Sequence, residues 1–197
     1  MKLEFDAREF NRILVPLRGM GRQMELAVRA AIKRAAATMG KDISAQIRLR
    51  SYLKAGEVKK SLTKPAISSN GDSITAEIRV AGKPLAMDHY RLVPRRVTAR
   101  KRMASRRWPE AGYQIGPSEP IRQARRGGGL SKGFVMRRNG RLFLMQRRGK
   151  KLERVFGYSA QYFAAFDETT RVVEANARET FEKRLAHEVR HRLEQLK

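Results

Sequence analysis

The sequence predicts an α+β fold: long N-terminal and C-terminal helices packed on an antiparallel β-sheet, with a long basic loop region between them. Residues 22–50 set Met24, Val28, Ile32, Ala35, Met39, Ile43 and Ile47 three or four positions apart, which draws one apolar stripe on a helix. Residues 167–196 repeat the pattern with Val173, Ala177, Phe181, Leu185, Val189, Leu193 and Leu196. Between the two helices, apolar runs flank Asn139-Gly140. That dipeptide most readily takes positive φ at both central positions of a type I′ hairpin turn.

In chain order, residues 2–5 suit a short strand, and Asp6 is placed to cap a brief helix that must end before Pro16. The first long helix follows, with Gly40 inside it at a cost of about 1 kcal/mol relative to alanine, so a bend or close packing is expected there. A short helix over 57–62 stops before Pro65. Asn70-Gly71-Asp72 signals a turn, and 74–80 alternates with period two, putting Ile74, Ala76, Ile78 and Val80 on one face of a half-buried antiparallel strand. Periodicity then disappears over 82–132, where five prolines and Gly127-Gly128-Gly129 predict long, flexible, partly ordered loops.

A two-residue turn at Asn139-Gly140 sets the hairpin register: Arg138 opposite Arg141, Met136 opposite Phe143, Val135 opposite Leu144 and Phe134 opposite Met145. Strands are expected over 134–138, 141–147 and 152–156. The last helix is expected to open with Asp167 as its N-cap, followed by Glu168, Thr169 and Thr170.

Length and composition narrow the function. A chain of 197 residues fits a single domain with a real core, and 41% hydrophobic residues excludes wholesale disorder. Basic residues outnumber acidic ones by 44 to 19, and residues 91–151 hold 19 basic side chains and 2 acidic ones. A field so concentrated favours a polyanion or an acidic protein surface. With no cysteine, disulfides, thiolate metal sites and cysteine nucleophiles are all excluded. With no apolar leader or spanning segment, a soluble protein that is neither exported nor membrane-bound is expected.

The cations expected to meet an anion or a partner are Arg138, Arg141, Arg147, Arg148, Lys150 and Lys151 at the hairpin turns, with Arg95, Arg96, Arg100, Lys101 and Arg102 in the loop. Arg138 facing Arg141 costs up to about 1 kcal/mol, which an anionic neighbour would offset. Tyr90 and Trp108 border the basic loop but are too few for a base-stacking platform.

One catalytic motif is present and fails on geometry. His187-Glu188-Val189-Arg190-His191 matches H-E-x-x-H, which binds zinc in one class of peptidase. The core stripe runs through Leu185 and Val189, so His187 points about 200° away, toward solvent. Too little chain follows to supply a third ligand. His89 has no evident partner, and Gly127-Gly128-Gly129 lacks the setting of a phosphate loop. The expectation is a non-enzymatic protein without cofactor or metal.

Ordered blocks of the chain resemble the phage minor tail protein Z family, the tail-completion proteins of long-tailed phages and prophages. They include Arg29-Ala30-Ala31-Ile32-Lys33-Arg34, Ile47-Arg48-Leu49-Arg50, Leu53-Lys54-Ala55-Gly56-Glu57-Val58, Ala76-Glu77-Ile78-Arg79-Val80-Ala81-Gly82-Lys83-Pro84-Leu85, Gly133-Phe134-Val135-Met136, Asn139-Gly140-Arg141, Met145-Gln146-Arg147 and Phe156-Gly157-Tyr158-Ser159. The chain departs from the family at Leu152-Glu153-Arg154-Val155, where relatives carry a Pro-Ile step, and in the length of its basic loop. The resemblance implies a structural virion protein at the head-proximal end of the tail or neck, assembled in the host cytoplasm and acting in head-tail joining and DNA passage. It further implies a homo-oligomeric ring, with six copies as the expectation, that meets the tail terminator, other tail or neck proteins and non-specifically the phage DNA, with no membrane partner. The residues by themselves leave open a basic, non-specific nucleic-acid-binding protein.

Overall fold

The structure, a computed structural model, describes residues 2–6, 13, 15–17, 19–70, 73–95, 111–124 and 133–195. In chain order the elements are β1 (Lys2–Asp6), α1 (Gly21–Arg50), α2 (Ala55–Ser61), β2 (Ala66–Asn70), β3 (Ser73–Glu77), β4 (Arg91–Val93), β5 (Gly112–Gln114), β6 (Arg122–Gln123), β7 (Gly133–Arg138), β8 (Arg141–Arg148), β9 (Lys151–Arg154), α3 (Ala160–Ala164) and α4 (Asp167–Glu194). Single 3-10 turns lie at Val15–Leu17 and Met87–His89. The fold is α+β, with the two long helices near the ends of the chain.

The chain divides into two compact units. The first comprises Met1–Gln46, Lys59–Ala81 and Ala164–Lys197. Its core is the predicted helix stripes: Val28, Ile32, Ala35, Met39 and Ile43 of α1 are buried, with Ala27, Ala31 and Ala36 widening the band. On α4, Val173, Ala177, Phe181, Leu185 and Val189 are buried in turn, and Thr169 extends the stripe one turn earlier. Asn176 Nδ2 donates to Asp42 Oδ2 at 3.4 Å and ties the two helices. Gly40 packs closely, since a Cβ there would lie 3.6 Å from Ile78 Cδ1. Helix α4 begins at Asp167 itself, with Phe166 at the N-cap and no side-chain cap, so Asp167 and Glu168 act in the first turn by charge against the helix dipole. The sheet of this unit is antiparallel in the order β1-β3-β2.

The strands therefore do not share one sheet, as the sequence reading had it. Strand β3 pairs with β1 and β2, whereas the hairpin β7-β8-β9 is a separate three-stranded sheet. Period-two alternation marks a face of 74–80 expected to be buried but carries no information about the partner strand. Regular pairing ends at Glu77, beyond which Ile78 is still buried and Val80 forms a lone bridge to Leu62. Strand β2 went unread because its side chains from Ala66 to Ser68 are exposed and show no apolar face. The brief helix expected after Asp6 falls mostly outside the described residues.

The second unit, Ile47–Val58 and Gly82–Phe163, carries the candidate site. Its hairpin has the predicted register, from Phe134 opposite Met145 to Arg138 opposite Arg141. Asn139 (φ 49°) and Gly140 (φ 75°) both take the left-handed conformation that a type I′ turn requires. The second turn has positive φ at Gly149 alone, the pattern of type II′, and sets Arg148 opposite Lys151. Val135 and Leu144 are buried on one face of the hairpin.

Strand β9 ends at Arg154, two residues before the expected limit. Val155 still donates to the Leu144 carbonyl at 3.0 Å and accepts from Met87 N at 2.9 Å, which hangs the Met87–His89 turn on the hairpin. Within the expected loop of 82–132, the described residues contain the sheet β4-β5-β6. Its strands are two or three residues long, too short for any period to show in sequence.

Candidate functional site

Three stretches of the second unit meet around a cleft of about 570 Å³: Tyr52, Lys54 and Glu57 at the start of α2, Asp88 to Leu92 with Arg95, and Arg141-Leu142 at the start of β8. Two of its lining residues, Tyr52 and Arg91, are held by a polar cluster. Gln114 is buried, and its Nε2 donates to the Glu119 carbonyl at 2.7 Å, which fixes the amide so that Oε1 faces the other way. That oxygen accepts from Arg91 Nη1 at 3.2 Å and from the Tyr52 hydroxyl at 3.3 Å. The Arg91 guanidinium is thus held in place. Its Nε is buried and has no hydrogen-bond partner among the described residues.

Both acidic side chains of the cleft are already engaged. Asp88 takes a two-point contact from Arg154, Nε to Oδ1 at 3.0 Å and Nη2 to Oδ2 at 2.6 Å. The same guanidinium lies 4.9 Å from the centre of the Phe143 ring. Glu57 Oε2 accepts from the backbone N–H of Lys54 at 3.0 Å, closing the first turn of α2 as a capping carboxylate does. Its Oε1 shares a hydrogen bond with His89 Nδ1. His89 therefore has a partner after all, 32 residues away in sequence. Burial pushes the Tyr90 phenol above its ordinary value of 10.0, and the nearby Glu57 and Tyr158 add to the shift. Its hydroxyl donates to the Tyr158 carbonyl at 2.6 Å.

Once these pairs are made, Lys54, Arg91, Arg95 and Arg141 remain without an acidic partner among the described residues. Four cations around one cleft will favour an oxyanion, and a fixed guanidinium suits two-point recognition of carboxylate or phosphate. A second hollow, of about 480 Å³, is lined by Arg138, Asn139, Arg141 and Phe143. Arg141 borders both.

Of the predicted contact residues, Arg95, Arg138 and Arg141 thus meet at one surface. Arg147, Arg148, Lys150 and Lys151 are exposed at the second turn and line neither hollow. Arg148 has an acidic neighbour, Glu153, at 3.7 Å. Arg96, Arg100, Lys101 and Arg102 lie outside the described residues. Lys54 and Arg91 were missed because no motif marks them, and Gln114 was missed because a lone glutamine carries no signal.

In the H-E-x-x-H segment, His187 and His191 are exposed, as the helix period predicts. The Glu188 carboxylate accepts from Arg192 Nη1 at 2.7 Å in a largely buried pair. Among the described residues no group of three or more His, Asp or Glu is placed to hold a metal, and no helix is long and apolar enough to cross a membrane. No protein-family model, curated protein or solved structure matches the chain.

Proposed function

We propose that this chain is a structural, non-catalytic tail-completion protein of a long-tailed phage or prophage particle, of the minor tail protein Z kind. It acts at the head-proximal end of the tail or neck, in head-tail joining and DNA passage. The observation that carries the reading is the ordered series of family-like blocks, from Arg29-Ala30-Ala31-Ile32 to Phe156-Gly157-Tyr158-Ser159. The cations at the hairpin tip, which have no acidic partner among the described residues, support it, since a like-charged surface that costs folding energy suits assembly with another molecule. The proposed assembly is a homo-oligomeric ring that meets the tail terminator and neighbouring neck proteins, in the virion and, during assembly, in the host cytoplasm.

Deleting the gene from its phage or prophage and imaging the particles tests this. Heads and tails that accumulate unjoined, and that a plasmid copy of this chain restores to whole particles, are the expected result. Normal yields of joined particles without the gene would overturn it. A second reading, a non-specific nucleic-acid-binding protein, is favoured by 17 of the 25 net charges falling within residues 91–151. It predicts normal particle joining together with salt-sensitive DNA binding by the purified chain.

A further inference from the structure

From the cleft of the second unit we infer that it is a docking site for an acidic peptide segment of a partner protein, read through side-chain carboxylates with Arg91 as the central ligand. The inference goes beyond the tail reading and does not need it, because it rests on the geometry of the cleft alone. The first support is charge. Asp88 is committed to Arg154, and Glu57 to His89 and the Lys54 amide, so the cleft's own acids do not neutralise Lys54, Arg91, Arg95 and Arg141.

A second support is preorganisation. Arg91 lines the cleft and is held by Gln114 and Tyr52 through one nitrogen, so an incoming carboxylate meets a guanidinium that is already oriented. The third is shape. Two hollows joined at Arg141 suit an extended chain with several carboxylates better than a single small anion.

Two of the aromatic rings argue against single-stranded nucleic acid. Tyr90 is buried and one face of the Phe143 ring is taken by Arg154, which leaves little of either for a base to stack on.

The test is fluorescence anisotropy with the full chain in physiological salt. The probe is a labelled peptide of alternating glutamate and serine, about eight residues long and roughly 26 Å when extended. Oligothymidylate of equal charge and inorganic phosphate serve as competitors. The paired variant Lys54→Gln with Arg95→Gln should weaken peptide binding about tenfold or more. Arg147→Gln with Lys150→Gln removes the same charge outside both hollows and should change it less than about threefold. Arg91→Lys, which keeps the charge and loses the fork, should also weaken binding about tenfold. The inference is overturned if the two paired variants weaken binding equally, if Arg91→Lys binds as the parent does, if oligothymidylate or phosphate displaces the peptide at equal or lower concentration, or if the peptide does not bind. Thermal melts of each variant separate lost binding from lost folding.

Discussion

Replacing Gly116 with alanine should unfold the second unit at a markedly lower temperature and loosen the hold of Gln114 on Tyr52 and Arg91 at the cleft. The added Cβ would lie 2.2 Å from the carbonyl oxygen of Arg50 and 3.0 Å from its carbonyl carbon. Both are backbone atoms at the last residue of α1, so no side-chain rotation relieves the overlap. Carbon and oxygen need more than 3 Å, so the strand end must retreat by about 1 Å, and forcing such a contact in a packed region costs about 1–3 kcal/mol. Retreat also stretches the bond from Tyr52 N to the Ile115 carbonyl, now 2.9 Å, worth about 1 kcal/mol more. A total of about 2–4 kcal/mol corresponds to a fall in Tm on the order of 10 °C for a chain of this size. Because Gln114 precedes Ile115, its hold on Arg91 and Tyr52 should loosen as well, so anion binding should fall in parallel. Circular-dichroism melts and chemical denaturation read the first effect, anisotropy the second. A Gly116→Ala protein melting within about 1 °C of the parent would refute the reasoning.

Four further outcomes are expected. Gly40→Ala should stabilise the first unit by about 0.5–1 kcal/mol in denaturant melts, because the new methyl meets Ile78 Cδ1 at an ordinary 3.6 Å and the helix interior favours alanine. Replacing Arg138 and Arg141 together with glutamine should leave stability unchanged or raised by a few tenths of a kcal/mol, since it removes a facing like-charge pair, while binding of an anionic partner falls; a much lower Tm with normal binding would mark the hairpin tip as structural. Glu57→Ala should cost about 0.5–2 kcal/mol by removing the capping carboxylate at Lys54 and the partner of His89. Tyr90 gives an alkaline signature. Its folded-state pKa is raised, so its contribution is fully present below the ordinary value of 10.0 and is lost as pH rises above it, when the unfolded chain ionises and the folded one resists. Tyr90→Phe should flatten that limb in melts taken at rising pH, at a cost of about 1 kcal/mol near neutrality for the lost bond to Tyr158.

How far each element could be read from sequence follows the range of the interaction behind it. The stripe from Val28 to Ile47 and that from Val173 to Val189 are periodicities within one helix, and both are buried as expected. The hairpin register followed from Asn139-Gly140, because a two-residue turn with positive φ leaves one way to pair its flanks. Strands of the β4-β5-β6 sheet escaped notice because each has at most three residues. The site was legible in part. Arg95, Arg138 and Arg141 stood out by charge, but nothing in their spacing says that Arg95 and Arg141 line one cleft while Lys150 does not.

The sequence by itself determined what depends on near neighbours: two amphipathic helices, a type I′ hairpin, a central excess of positive charge, and His187 and His191 on the exposed side of the last helix. Only the tertiary structure decided what depends on remote pairing. Strand β3 joined β1 and β2 instead of the hairpin, Glu57 met His89 across 32 residues, and Tyr52 met Gln114 across 62. The physical reason is that turn chemistry and hydrophobic period act through local backbone geometry, whereas the meeting of distant polar side chains is set by how the segments that carry them pack. Arg91 has the composition of any surface arginine until packing buries its Nε and aligns its guanidinium against Gln114.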